Sequence, residues 1–257
     1  MSTTSLTIGV SLKMYMGYDQ TLRWCQDVAG LVGAHPVLTG SKARLFVAPG
    51  FPAIPGARDI FRGTPITVGA QNLAEADSGA YTGEVGGPML REAGALYVEV
   101  GHAERRRMYG EHEQVVAAKT AAALRNGLVP VLCIGEPTPG SAEEAAAECV
   151  RQLDSALWQS ERRALGGRVV VAYEPIWAIG AAEPAGPEHI SAVCAALRES
   201  MDKRAGYPDS SVIYGGSAGP GLLGKIAPAA QGLFLGRFAH DPQALKTVLD
   251  EALEVSA

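Results

Sequence analysis

Eight short runs rich in β-branched and apolar residues recur along the 257-residue chain, each leading into glycine, proline or polar residues and then a longer Ala-, Leu- and Glu-rich stretch. They are Thr7 to Val10, Arg44 to Ala48, Thr67 to Ala70, Tyr97 to Val100, Pro130 to Ile134, Val169 to Tyr173, Val212 to Tyr214 and Gly232 to Leu235. Strand-like runs alternating with helical spacing are the mark of βα units around a parallel sheet. Eight units in about 250 residues is the count of a closed (β/α)8 barrel. No linker, charge block or low-complexity segment divides the chain, so the reading is a single-domain α/β fold over residues 1–257.

Helix signals support that reading. Ser141 stands three residues before Glu144, as in a capping box, and Asp241-Pro242 puts a cap before proline at a first helical position. Ala244, Leu245, Val248, Leu249, Ala252 and Leu253 form an apolar stripe at helical spacing. The alanine-rich 117–123 and 142–147 segments read as helix surfaces.

Composition removes several function classes. Against 27 acidic residues stand 22 Lys and Arg, a net charge of -5 with no basic block, which argues against nucleic-acid binding. No apolar run approaches the roughly 20 residues of a membrane helix. Met1 to Thr7 is a polar lead rather than a signal peptide, which leads to the expectation of a cytoplasmic protein. Cys25, Cys133, Cys149 and Cys194 form no CxxC pair and are expected to be buried free thiols. The five histidines show no metal-binding spacing. Gly219 to Gly224 satisfies GxGxxG, but little chain remains for a following βαβ unit. As a Walker motif it fails because Ile226, not Ser or Thr, follows Lys225.

In a (β/α)8 barrel the chemistry sits where strands end at the C-terminal face. There the sequence places Ser11-Leu12-Lys13, Gly101-His102-Ala103-Glu104, Glu174 to Gly180, Gly215-Gly216-Ser217 and Gly236-Arg237. A carboxylate, an imidazole, two cations and several glycines are thus aimed at one face.

The segments VAYEPIWAIG (171–180), VEVGHAERRRMYGE (98–111), GAQN (69–72), GAYTGE (79–84), CIGE (133–136) and YGGS (214–217) resemble the triosephosphate isomerase family, in order and over nearly the whole chain. That resemblance implies a TIM barrel that enolises a small phosphorylated sugar, with no cofactor and no metal. It assigns Glu174 as the base, His102 as the electrophile and Lys13 as the substrate-steering cation, held by Glu104. A neutral imidazole kept so by a helix N-terminus is the known arrangement of this family itself, and the resemblance carries it over to His102. Gly180, Gly215, Gly216 and Ser217 correspond to a phosphate cradle. Pro175, Ile176, Trp177, Ala178, Ile179, Gly180 and Ala181 correspond to a lid, and Thr82 to a loop tip that enters a second subunit, so a homodimer is implied.

Three places depart from the family pattern. Ser11 stands where Asn is usual, Gly180-Ala181-Ala182-Glu183-Pro184 replaces the lid's Gly-Thr-Gly-Lys-Thr, and Gly236-Arg237 replaces a glycine pair. Ser11 leaves room beside the reacting carbons, and Arg237 adds a guanidinium for the phosphate. Both resemble a side branch, the erythrulose-phosphate isomerases. The expectation is interconversion of L-erythrulose 1-phosphate and D-erythrulose 4-phosphate, with glycolytic triosephosphate isomerase and a non-catalytic sugar-phosphate sensor as alternatives.

Overall fold

Strands β1 (Leu6–Ser11), β2 (Ala43–Ala48), β3 (Ile66–Ala70), β4 (Tyr97–Val100), β5 (Val129–Ile134), β6 (Val170–Tyr173), β7 (Ser211–Tyr214) and β8 (Gly232–Leu235) each lie within a residue of a run read from the sequence. All pair in parallel and in chain order, and β8 closes on β1. The structure is a computed structural model that describes residues 5–256; the start of the polar lead, positions 1–4, lies outside the described residues.

The helices are α1 (Tyr18–Val32), α2 (Pro36–Thr39), α3 (Ile54–Phe61), α4 (Gly87–Ala93), α5 (Ala103–Tyr109), α6 (Glu113–Arg125), α7 (Ala142–Arg162), α8 (Pro187–Asp202), α9 (Leu223–Ile226) and α10 (Pro242–Val255). Ser141 and Glu144 form the expected capping box on α7, and Asp241 caps α10 through the amide of Gln243. Leu245, Val248, Leu249 and Ala252 are the buried stripe of α10. The 117–123 run is helical, but not a helix surface: Ala117, Ala121, Ala122 and Ala123 are fully buried. Their small side chains let α6 lie close against its neighbours, so alanine here is a packing residue.

Strand alternation divides the apolar residues into two cores. Outward residues such as Ile8, Val10, Val98, Leu132 and Val171 meet the helices. Inward residues fill the barrel: Phe46 stacks on Tyr97 at 4.3 Å and lies 5.9 Å from Phe234, with Val131, Cys133, Val170, Ala172 and Ile213 around them. The N-terminal end is closed by polar contacts, Arg168 donating to Tyr97 Oη and Thr7 Oγ1 while Thr7 and Ser211 hydroxyls meet at 3.2 Å. This plug is structural, leaving the opposite face for chemistry. All four cysteines are buried free thiols, as expected.

Candidate active site

At the C-terminal ends of the strands lies a cavity of about 1010 Å³. Of the residues singled out in the sequence, Ser11, Lys13, His102, Glu104, Glu174, Ile176, Ile179, Gly180, Ala181, Gly215, Ser217, Gly236 and Arg237 line it. Pro175, Trp177, Ala178 and Gly216 do not line it. Thr82 lies in an exposed loop.

Glu174 directly follows β6, and its amide donates to Ile134 O at 2.7 Å, which fixes where its side chain leaves the barrel. The carboxylate is 4% exposed and Oε2 has no hydrogen-bond partner. Burial therefore raises its pKa above the ordinary glutamate value, against the pull of His102, the Cys133 thiol and Lys13. Gly215 is required by this placement, because a Cβ there would stand 2.7 Å from both Glu174 Cγ and Oε1.

His102 is the N-cap of α5, and its Nδ1 accepts the Glu104 amide proton at 3.2 Å. An accepting Nδ1 puts the ring proton on Nε2. Nε2 is 3.9 Å from Glu174 Oε2, so a proton donor and a proton acceptor face one another across the cavity wall.

Lys13 occupies the left-handed region at φ 49°, uncommon for a residue with a side chain. Two contacts hold it: its Nζ donates to Glu104 Oε1 at 2.7 Å, and Gln71 Nε2 donates to Lys13 O at 3.0 Å. Burial raises the Glu104 pKa, but the hydrogen bond and charge of Lys13 outweigh it and hold that carboxyl below its usual value. Ser217 is likewise left-handed at φ 48°. Its hydroxyl reaches the carbonyl oxygens of Ala178 at 2.8 Å and Ala181 at 2.9 Å, tying the loop after β7 to the 175–181 segment.

Positive charge gathers at the β8 end. A Cβ on Gly180, itself at φ 74°, would stand 3.8 Å from Arg237 Nη2, so the guanidinium reaches Gly180. Trp24 Nε1 donates to Ala239 O at 3.0 Å and anchors the turn that carries Arg237. Nearby, the His240 pKa is lowered by burial and then by the charges of Arg237 and Lys13. An anion placed between those two cations would meet both fields.

Several quoted motifs prove to be scaffolding. Glu136, from CIGE, accepts from Trp177 Nε1 at 2.8 Å and Tyr173 Oη at 3.1 Å, tethering the start of the 175–181 segment. Asn72 and Glu111 share Lys119 Nζ, while Arg105 also donates to Glu111. Sequence reasoning missed Gln71, which braces Lys13, and the aromatic rim of Tyr15 and Phe238. It also missed Glu99, a buried carboxyl on β4, although a charge inside an apolar strand is itself a signal.

The family model of triosephosphate isomerase matches residues 6–252. The chain belongs to that family. It is 52% identical over 257 residues to the L-erythrulose-1-phosphate isomerase of Pectobacterium atrosepticum, covering 100% of this chain and 99% of that protein. The protein of the same name from Mesorhizobium japonicum is 35% identical, covering 95% and 96% of the two chains. A triosephosphate isomerase of Synechococcus sp. is 33% identical over 249 residues, covering 95% and 96%. Family membership bears out the isomerase reading of the sequence and its barrel. Among the described residues no helix is long and apolar enough to cross a membrane.

Proposed function

We propose that this protein interconverts L-erythrulose 1-phosphate and D-erythrulose 4-phosphate through an enediolate. The observation that carries the chemistry is the convergence of Glu174, His102 and Lys13 on one cavity. Glu174 removes the proton from carbon 3 of the 1-phosphate, while His102 Nε2–H stabilises the carbonyl oxygen as it gains charge. Lys13 adds electrostatic stabilisation. The proton returns to carbon 2, the hydroxyl proton on carbon 3 passes to the oxygen on carbon 2, and the carbonyl ends at carbon 3, so the atoms balance with no external oxidant or reductant. Gly180, Gly236 and Arg237 hold the phosphate, and the 175–181 lid excludes water from the enediolate.

The four-carbon substrate differs from a triose phosphate by one hydroxymethyl group on the carbon that loses the proton. Support for it comes from Ser11, a small side chain lining the cavity, whose buried hydroxyl has no hydrogen-bond partner. The two relatives named as L-erythrulose-1-phosphate isomerases favour the same substrate. A homodimer accords with the exposed Thr82 loop and with Met14 (95% exposed) beside Lys13. Four free thiols suit the reducing cytoplasm.

The test is conversion of L-erythrulose 1-phosphate in deuterated water, followed by NMR. The expected result is D-erythrulose 4-phosphate carrying deuterium at the carbon that receives the proton. Conversion without deuterium would point to a hydride shift, and a lack of conversion would leave the three-carbon enzyme or a sensor.

A further inference from the structure

Glu99 lies inside the barrel, on the same face of β4 as Tyr97, while Val98 and Val100 join the outer core. Its surroundings are otherwise suited to apolar residues: Phe46, Val131, Ile213 and Phe234 form the interior below it. The side chain is 3% exposed, and Oε1 has no hydrogen-bond partner. Barrel packing therefore gives no reason for a carboxyl here, and leaving one unpaired is costly. The hydroxyl that draws the Glu99 pKa down is that of Ser11 of β1, whose Oγ is likewise buried and has no other hydrogen-bond partner. Ser11, unlike Glu99, lines the cavity.

We propose that Glu99 and Ser11 form a hydroxyl-binding subsite at the cavity floor, in which Ser11 meets the terminal hydroxymethyl group of the substrate and Glu99 positions Ser11. The inference rests on the four-carbon reading and extends it to a residue to which the family resemblance gave no role.

The protonation state of Glu99 determines what Ser11 can offer. Burial is the main influence and pushes the Glu99 carboxyl up to about 8; Ser11 and Lys13 oppose it, while the negative charges of Glu174 and Glu104 add to it. Cys133, on β5, senses the charges of both Glu99 and Glu174. Burial thus favours the neutral acid. It can donate its proton to Ser11 Oγ, leaving the Ser11 proton free for the substrate oxygen and a second lone pair free to accept from the substrate O–H. An ionised Glu99 would instead take the Ser11 proton, and an apolar residue would leave Ser11 unoriented. A triose phosphate carries no hydroxymethyl substituent on the carbon that loses the proton and so cannot use this pair, which makes the subsite act on the choice between substrates.

The experiment measures kcat/KM of wild type, Glu99→Leu, Glu99→Gln, Ser11→Ala and the Leu/Ala double variant on L-erythrulose 1-phosphate and on glyceraldehyde 3-phosphate, with thermal melting of each. The readout is the four-carbon to three-carbon ratio. Glu99→Leu and Ser11→Ala are each expected to lower that ratio about 10-fold, the scale of losing one well-placed hydrogen bond. The double variant should lower it little further, because both act on one contact. Glu99→Gln, whose amide N–H can still donate to Ser11, should keep most of the preference. An unchanged ratio in Glu99→Leu, or additive losses in the double variant, would overturn the subsite. Should Glu99→Leu fail to fold, Ser11→Ala and Glu99→Gln decide the matter: an unchanged ratio in Ser11→Ala, or a ratio in Glu99→Gln as low as in Ser11→Ala, overturns it. A wild type that prefers the three-carbon substrate defeats the four-carbon reading itself, a failure visible before any variant is compared.

Discussion

Replacing Gly215 with alanine probes Glu174, the proposed base, without altering its carboxyl chemistry. A Cβ at that position would lie 2.7 Å from Glu174 Cγ, 2.7 Å from Oε1 and 3.1 Å from Cδ, against 3.4 Å at the near edge of ordinary contact. Relief requires a shift of about 0.7 Å, and the Glu174 side chain is the group that must move, since hydrogen bonds to neighbouring strands, Glu174 N–H to Ile134 O and Gly215 N–H to Tyr173 O, hold both backbones. A misplacement of about 1 Å in a reacting group can cost around 100-fold in rate. Gly215→Ala should therefore lower kcat by about 10- to 100-fold while changing the melting temperature little, because the Gly215 backbone is not left-handed. Steady-state kinetics on L-erythrulose 1-phosphate, with melting curves, provide the assay. The same change made on top of Glu174→Gln should cost almost nothing more, as the displaced group is then already inert. An undiminished kcat in Gly215→Ala, with the fold intact, would refute the claim that the carboxylate reacts from this position.

Glu174→Gln should remove about 100- to 10,000-fold of kcat, the range of a lost general base, while retaining binding of a phosphorylated inhibitor; calorimetry and kinetics would show it. The acid limb of kcat/KM should lie above the ordinary glutamate range, since burial raises the Glu174 pKa and the base must be ionised to act; a limb near the usual value would contradict that burial. Arg237→Gly should raise KM more than it lowers kcat, and an unchanged KM would place the guanidinium outside the phosphate site. Folding stability offers a separate check on Glu99. A carboxyl raised from 4.5 to about 8 binds protons more tightly when folded, so its contribution is present below its unfolded pKa and lost as pH rises through the folded one. Melting temperatures measured from pH 5 to about 8 should fall less in Glu99→Gln than in wild type.

The strands were legible because each is a short run of β-branched residues bounded by glycine, proline or polar positions, and burial on both faces leaves that pattern little room to vary. The short helices α2, α4 and α9, of four to seven residues, were not, since so few residues show no period. The 117–123 alanines misled for a related reason: a run of identical residues carries no amphipathic direction, so helix formation could be read but not the face that α6 buries. Within the site, Glu174, His102 and Lys13 were visible because polar residues ending apolar strands have few structural uses at that face. Ser217 could be placed at the cavity, but its bonds to Ala178 and Ala181 depend on how the 175–181 segment folds back, which no local pattern encodes. Gln71 acts across 58 positions of chain on the Lys13 carbonyl, again a tertiary contact. Glu99 was within reach, as the alternation Tyr97, Val98, Glu99, Val100 turns it inward together with Tyr97.

The central claim is the substrate, and kcat/KM of the purified wild-type protein, measured side by side on L-erythrulose 1-phosphate and glyceraldehyde 3-phosphate, tests it most directly. A strong preference for the four-carbon ketose is the predicted result. Equal or greater efficiency on the three-carbon aldose would contradict it, making Ser11 and Arg237 tolerated variation in a triosephosphate isomerase.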